Sequence, residues 1–389
     1  MTFDFETIAD ATDYGFGTDY NPKHTVMAGA QLHVKTAPCI ISALERFVSA
    51  GLYGWTSSDD ELYLNTITDW MKQVRRWNIH NDWIVPSYGT LQAICAAIRA
   101  FTAVGDGIIL QEPVYFLYNK AIENCGRKLV SNTLLLEGDH YKMDFDDLED
   151  KLSKPENSLM ILCNPHNPIM DIWEKDTLAH VAQLAKKHGV LVVVDEIFAE
   201  HVFDAHLMTP FATIEDAKDN CIVCTSIGKA FNFTGASHAN IIIPNPEIRK
   251  VYKTQRDSDH YGSLSPFMRT ALIAGYSQEG YDWIQALLDF SHSNVQQFSD
   301  FINRNMAGTK ICRQRAGTLV WVDLRKLGLD ENQLADLFAQ ANISPDMGTR
   351  YGKSGNGFVR LQLGISKKEL TPALERLGKS AAQVLSQSI

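Results

Sequence analysis

Residues 225–237 read TSIGKAFNFTGAS, and Lys229 is the one charged residue among them. A lysine held away from water and other charges gives up its proton readily, which leaves an amine able to attack a carbonyl. Two more polar clusters close apolar runs. SLMILC (158–163) leads into Asn164-Pro165-His166-Asn167-Pro168, and VLVVVD (190–195) ends in Asp195-Glu196. Prolines neither continue a strand nor donate to its ladder, so the first cluster is a rigid turn presenting two asparagine amides. A carboxylate closing an apolar run is partly desolvated and needs a cation or a donor beside it. Taken singly, Asp195 also suits the N-cap of a following helix, and Lys229 also suits a solvent-facing loop.

Their joint placement favours chemistry. Apolar, β-branched runs at 158–163, 190–195 and 221–226 alternate with helical patterns such as 177–188. That alternation predicts a parallel sheet covered on both faces, with its ligand site beyond the carboxyl ends of the strands. Asn164 and Asn167, Asp195, and Ser226 with Lys229 follow three such ends and should share one pocket. A carboxylate that keeps a ring nitrogen protonated and an imine-forming lysine are the pair that pyridoxal phosphate chemistry needs. A phosphate needs its own cradle. Ser87-Tyr88-Gly89-Thr90-Leu91 precedes a helical run whose free N–H groups and dipole suit a dianion, and Ser226 could add a hydroxyl. Competing motifs fail: Gly228-Lys229-Ala230 lacks the first glycine and the Ser/Thr of a P-loop, GASHA is no nucleophile elbow, and neither HExxH nor GxGxxG occurs.

The elements that must position these residues come from a chain of 389 residues, 45% hydrophobic and 21% charged, long enough for two domains. We expect residues 1–40 to join a small domain, 41–285 to form a large one, and 286–389 to complete the small one. Helical spacing runs over 43–52, 62–77, 90–105 and 281–306. Strands are expected at GTLVWVDL (317–324) and GFVRLQLG (357–364), with a glycine-rich loop at 348–357. A net charge of −10 argues against nucleic acid and against an anionic membrane surface. The basic cluster 72–76 reads as a solvated helix face. The N-terminus lacks an apolar signal region, no run has membrane length, and seven scattered cysteines suit the cytoplasm. Cys221 and Cys224 lie three apart in a β-like run, so they face opposite sides and no metal is expected.

These residues and their order resemble fold-type I pyridoxal-phosphate enzymes of the aminotransferase class I/II superfamily, and within it the MalY/PatB group of cystathionine β-lyases, or C–S lyases. The resemblance rests on FDF (3–5), YGWT (53–56), GDGIILQEPVYF (105–116), NPHNPIMDIW (164–173), DEIF (195–198), SIGKAFNFTG (226–235) and FVRL (358–361). It implies an α/β fold whose large domain holds a mostly parallel, seven-stranded sheet covered by helices, beside a smaller α+β domain. It further implies that Lys229 binds the cofactor and acts as base at the substrate α-carbon. Asp195 would pair with the pyridine nitrogen, Asn167 with the 3′ oxygen, and Tyr115 would stack on the ring. Gly89, Thr90, Leu91 and Ser226 would hold the phosphate, and Arg360 the substrate carboxylate, with Asn167 and Gly29 also at the substrate. The alternation in FVRLQL fits a cross-strand ion pair for Arg360 equally well.

Three positions depart from the group's pattern. Val26-Met-Ala-Gly-Ala-Gln-Leu32 replaces a Trp followed by Ala-Asp-Met-Asp-Phe at the substrate mouth. Trp55 replaces a tyrosine that reaches a neighbouring subunit's phosphate, and Phe198 replaces a histidine. Ser237 stands where many aminotransferases have a phosphate-binding arginine, an absence shared with the C–S lyases. The resemblance therefore implies a homodimeric C–S β-lyase acting on a small amino-acid substrate, cystathionine or a related cysteine S-conjugate. An aminotransferase or a regulatory protein of the same fold is the alternative.

Overall fold

The computed structural model describes residues 3–6 and 24–387. Residues 7–23 of the expected N-terminal segment lie outside the described residues. Seven strands form the central sheet in the order Ile84–Ser87, Ala239–Ile242, Cys221–Thr225, Leu191–Asp195, Leu159–Cys163, Gly107–Glu112 and Lys128–Thr133. Ala239–Ile242 runs antiparallel to both neighbours, and the other pairings are parallel.

The apolar runs are continuous because both faces of the sheet are buried. Met160, Leu162, Val192, Val194, Cys221 and Val223 pack into one core, whereas Leu159, Ile161, Leu191, Val193, Ile222 and Cys224 pack into the other. Cys221 and Cys224 therefore do face opposite sides.

A second, antiparallel sheet is ordered Lys310–Ile311, Leu319–Asp323, Phe358–Gln362 and Asp346–Met347. Its core includes Phe298 and Ile302 of the long helix Gln278–Asn305 together with Val320, Val359 and Leu361. The short strand Thr25–Val26 pairs with Ile343–Ser344, which brings the N-terminal segment to this part of the molecule. No helix among the described residues is long and apolar enough to cross a membrane.

Helix bounds shift where the chain has other work to do. The helix expected at 43–52 starts earlier, at Pro38, whose fixed φ suits a first helical turn, and ends at Ala50 before a left-handed Gly51. The helix expected at 62–77 ends at Gln73, and Arg76 takes a positive φ of 53°. The reading of 72–76 as a solvated face fails at Arg75. That side chain turns inward, buried against Glu196 and with Nη1 3.5 Å from Glu200. Glu196 also accepts from Phe211 N at 2.8 Å, and Glu200 from Trp70 Nε1 at 3.3 Å. Arg75→Met would leave two carboxylates buried without their cation. It is expected to destabilise the fold by about 3–5 kcal/mol, measured by urea denaturation.

Candidate functional site

Register places the polar clusters side by side. Cys163 pairs with Asp195, and Asp195 with Cys224, so the three carboxyl ends are level. Asn164 N donates to Asp195 O at 2.9 Å and Glu196 N to Cys224 O at 3.0 Å, stitching the turns beyond the strands. Asn164 itself is buried, its Oδ1 accepting from Trp173 N at 3.1 Å. It shapes the turn, and Asn167 lines the cavity.

The cavity has a volume of about 560 Å³. Gly89, Thr90, Leu91, Tyr115, Asn167, Ser226, Lys229, Arg360 and Gly29 all line it, as do Phe198 and Ser237. Trp55 does not. It stands 91% exposed, with Leu52, Tyr53 and Phe267 also exposed.

Lys229 sits in a four-residue helix, Ile227–Ala230, capped by Ser226, whose Oγ accepts from Gly228 N at 3.0 Å. The same hydroxyl donates to His238 O at 2.6 Å, so the Ser226 hydroxyl hydrogen is already committed within the loop. Lys229 Nζ lies 3.4 Å from Ala30 O and 5.8 Å from the centre of the Phe198 ring. Burial, with the Arg360 charge adding to it and Asp195 opposing, pushes the Lys229 ammonium down to about 8. Acetylation of Lys229 by acetic anhydride in the cofactor-free protein is expected to rise with pH through a midpoint near 8. Peptide mapping across a pH series reads this, and a midpoint near the ordinary lysine value would contradict it.

Asp195, expected to share the pocket, is buried at the end of strand Leu191–Asp195 and does not itself line the cavity; its partner Tyr118 does. Its Oδ2 accepts from Tyr118 OH at 2.7 Å and its Oδ1 from Ile197 N at 3.1 Å. Burial pushes its carboxyl up to about 6, against the Tyr118 and Ile197 bonds and the Lys229 charge, which favour the ionised form. Tyr118 was not anticipated. It is three residues past Tyr115, but only the rotation of helix Leu117–Asn124 shows which tyrosine reaches the acid.

The N-terminus of helix Thr90–Phe101, capped by Gly89 at φ 103°, lines the cavity through Gly89, Thr90 and Leu91. A side chain is strained at that φ, which explains glycine there. Arg360 enters from the second sheet. Its Nη1 donates to Asn167 Oδ1 at 2.9 Å, its Nη2 donates to Gly29 O at 2.9 Å, and it pairs with Asp346 on the neighbouring strand. The cross-strand ion pair is present, and both of its members line the cavity. Asp346 and Arg350, which also line the cavity, were not anticipated, because only strand register sets an acid in a two-residue strand opposite Arg360.

The mouth segment is fastened to the lysine loop. Asn232, at φ 53°, accepts from Leu32 N at 3.0 Å and donates to Leu32 O at 3.0 Å and Val34 O at 2.7 Å. Thr36 Oγ1 donates to Phe231 O at 2.6 Å.

Known proteins share this architecture. The chain is 32% identical over 350 residues to the cystathionine beta-lyase PatB of Bacillus subtilis, covering 90% of each chain. It is 31% identical over 337 residues to the protein MalY of Escherichia coli, covering 86% of each. The crystal structure of cystalysin from Treponema denticola, which contains pyridoxal 5′-phosphate, superposes with a TM-score of 0.92 at 29% identity, over 98% of this chain and 100% of that one. The sequence profile of aminotransferase class I and II matches residues 26–377, so with a mostly parallel sheet beyond whose strand ends Asn167, Asp195 and Lys229 lie, the chain belongs to the aminotransferase class I and II family.

Proposed function

We propose that this chain is a pyridoxal-phosphate-dependent C–S β-lyase, which converts cystathionine or a related cysteine S-conjugate and water to a thiol, pyruvate and ammonia. The observation that carries the reading is a single cavity lined by a poorly solvated amine, Lys229, and a guanidinium, Arg360, with a buried carboxylate, Asp195, behind the Tyr118 side chain of its wall. The similarity to PatB and cystalysin supports it.

The residues present fit the cofactor. A helix N-terminus with a glycine cap suits its phosphate, a buried carboxylate suits its ring nitrogen, and an amine held near neutrality suits its aldehyde. When bound, pyridoxal phosphate supplies an electron sink conjugated to the substrate α-carbon.

The protein's own groups do the rest. Gly89, Thr90 and Leu91 hold the phosphate through backbone N–H groups, with Ser226 shaping the adjoining wall. Tyr115 would cover the ring face. Asn167 has committed its Oδ1 to Arg360, which leaves Nδ2 free to donate to the 3′ oxygen of a bound cofactor. Asp195 would keep the proton on the ring nitrogen. Arg360, with Gly29 and Asn167 beside it, takes the substrate α-carboxylate, which sets the Cα–H bond toward Lys229. Lys229 removes that proton as a general base, and the thiolate leaves from Cβ. Phe198 under Lys229 is apolar and offers it no competing hydrogen bond.

The test is incubation with L-cystathionine, with and without a keto-acid acceptor. Thiol and pyruvate without acceptor support the lyase. Turnover only with acceptor would replace it by an aminotransferase, and no turnover in either would overturn the enzymatic reading for this substrate.

The reading includes a cytoplasmic homodimer whose partner completes the cofactor site through Trp55. The exposed patch of Leu52, Tyr53, Trp55 and Phe267 supports this, because apolar surface of that kind marks interfaces. Trp55→Ala is expected to raise the cofactor dissociation constant about tenfold by removing a donor to a charged group. Equilibrium dialysis measures that constant, and sedimentation velocity is expected to show the native protein at twice the chain mass.

A further inference from the structure

Arg360 is already fully engaged at the one nitrogen a substrate needs most. A guanidinium receives a carboxylate two-pronged along either of two edges, Nε with Nη2 or Nη1 with Nη2. Both edges use Nη2. In this structure the two Nη2 hydrogens go to Gly29 O, at 2.9 Å, and to Asp346 Oδ2. Nε, by contrast, is buried without a partner. An incoming carboxylate therefore finds an edge with one nitrogen unpaired and the other occupied by another carboxylate.

Asp346 has somewhere else to go. Its Oδ1 accepts from Arg350 Nη1 at 2.6 Å, and its Oδ2 also accepts from Gly29 N at 2.8 Å. Asp346 is 2% exposed, whereas the Arg350 side chain is 49% exposed at the cavity wall, its guanidinium 4.2 Å from the Phe116 ring centre. Two guanidiniums thus share one carboxylate. Admitting one further carboxylate balances the group at two against two.

The geometry points to Asp346 as a resident carboxylate that is exchanged on substrate binding: it neutralises Arg360 in the free protein and yields Nη2 to the substrate α-carboxylate while retaining Arg350. Asp346 is then a positioning residue that sets the affinity and selectivity of the site for amino-acid carboxylates. The exchange moves hydrogen bonds only and makes or breaks no covalent bond. It rests on the reading of Arg360 as the substrate-carboxylate site.

The probe is 3-(methylthio)propanoate, the desamino analogue of S-methylcysteine, with its amide as the neutral control. Binding to the holoprotein is measured by calorimetry, so no turnover is involved. Asp346→Asn removes the competing charge and is expected to tighten carboxylate binding about tenfold, with amide binding unchanged. Arg350→Gln removes the alternative partner of Asp346 and is expected to weaken carboxylate binding by a similar factor. In the Asp346→Asn background the Arg350→Gln change is expected to be silent, because no carboxylate remains to be retained. Should the Asn variant not fold, Asp346→Ser is read in the same way.

The exchange is overturned if Asp346→Asn binds the carboxylate equally or more weakly, as a fixed orienting role for Asp346 would give. It is also overturned if Arg350→Gln weakens binding equally in both backgrounds, as bulk charge alone would give. Arg360→Gln separates the two levels. If that change leaves carboxylate affinity intact, Arg360 is not the carboxylate site and the functional reading of it fails as well.

Discussion

Lys229→Ala protein is expected to turn over cystathionine at least about 10⁴-fold more slowly than native, because one side chain serves both to anchor the cofactor and to move the Cα proton. Among the described residues, no other amine lines the cavity to substitute for it as the cofactor's anchor. The cationic groups lining the cavity near Lys229 are guanidiniums, Arg350 and Arg360, which stay charged at any working pH, and the side chain beneath it is Phe198. Lys229→Arg is therefore expected to fall as far as the alanine variant, since it restores the charge without a neutral amine. Pyruvate release under saturating substrate measures the loss. Borohydride reduction of native protein followed by peptide mapping should place the cofactor on Lys229. A variant within tenfold of native would remove Lys229 from the mechanism.

Asp195→Asn is expected to lower kcat/KM by about 10²–10³, the scale of one preorganised group acting on charge that develops in the transition state. A buried amide cannot hold a ring proton by charge, so the loss should appear mainly in kcat, with a weaker effect on KM. Asp195 also carries its own pH signature. Its carboxyl stands at about 6 because burial outweighs the Tyr118 and Ile197 bonds. In infrared difference spectra of the cofactor-free protein, the protonated-carboxyl band that Asp195→Asn abolishes should vanish as pH rises through about 6. Tyr118→Phe should move that midpoint upward, since a donor favouring the ionised form is gone. A band unmoved in Tyr118→Phe would show that the bond does not tune the acid.

What was legible in the sequence follows from which forces act locally. The strands at 158–163, 190–195 and 221–226 were readable because burial on both faces writes an unbroken apolar run, and the residues that follow them necessarily gather at one edge. Asn167, Asp195 and Lys229 could therefore be located together without coordinates. Ser226 could be placed but not oriented: its hydroxyl serves Gly228 N and His238 O, bonds fixed by the fold of the loop. Arg75 was misread because Lys72 and Arg76 surround it with solvent-facing signals, whereas its partners Glu196 and Glu200 lie more than a hundred residues away. Tyr118 and Asp346 were invisible for a related reason. Helix rotation decides the first and strand register the second, and neither leaves a mark on neighbouring residue types.

The Asn232 clamp constrains how such a protein can change its diet. Because that one amide holds the backbone at Leu32 and Val34 while sitting three residues from Lys229, the rear of the mouth and the reactive amine share a single mounting. Lengthening or shortening the chain between Leu32 and Thr36 would drag the amine out of alignment with Asp195. The tip ahead of it, around Ala28 to Gln31, carries no such tether to Asn232. The backbone there meets the reaction centre directly, Gly29 at Arg360 and Asp346 and Ala30 O at Lys229 Nζ, so new substrate preferences are most simply acquired through the Ala28 and Gln31 side chains.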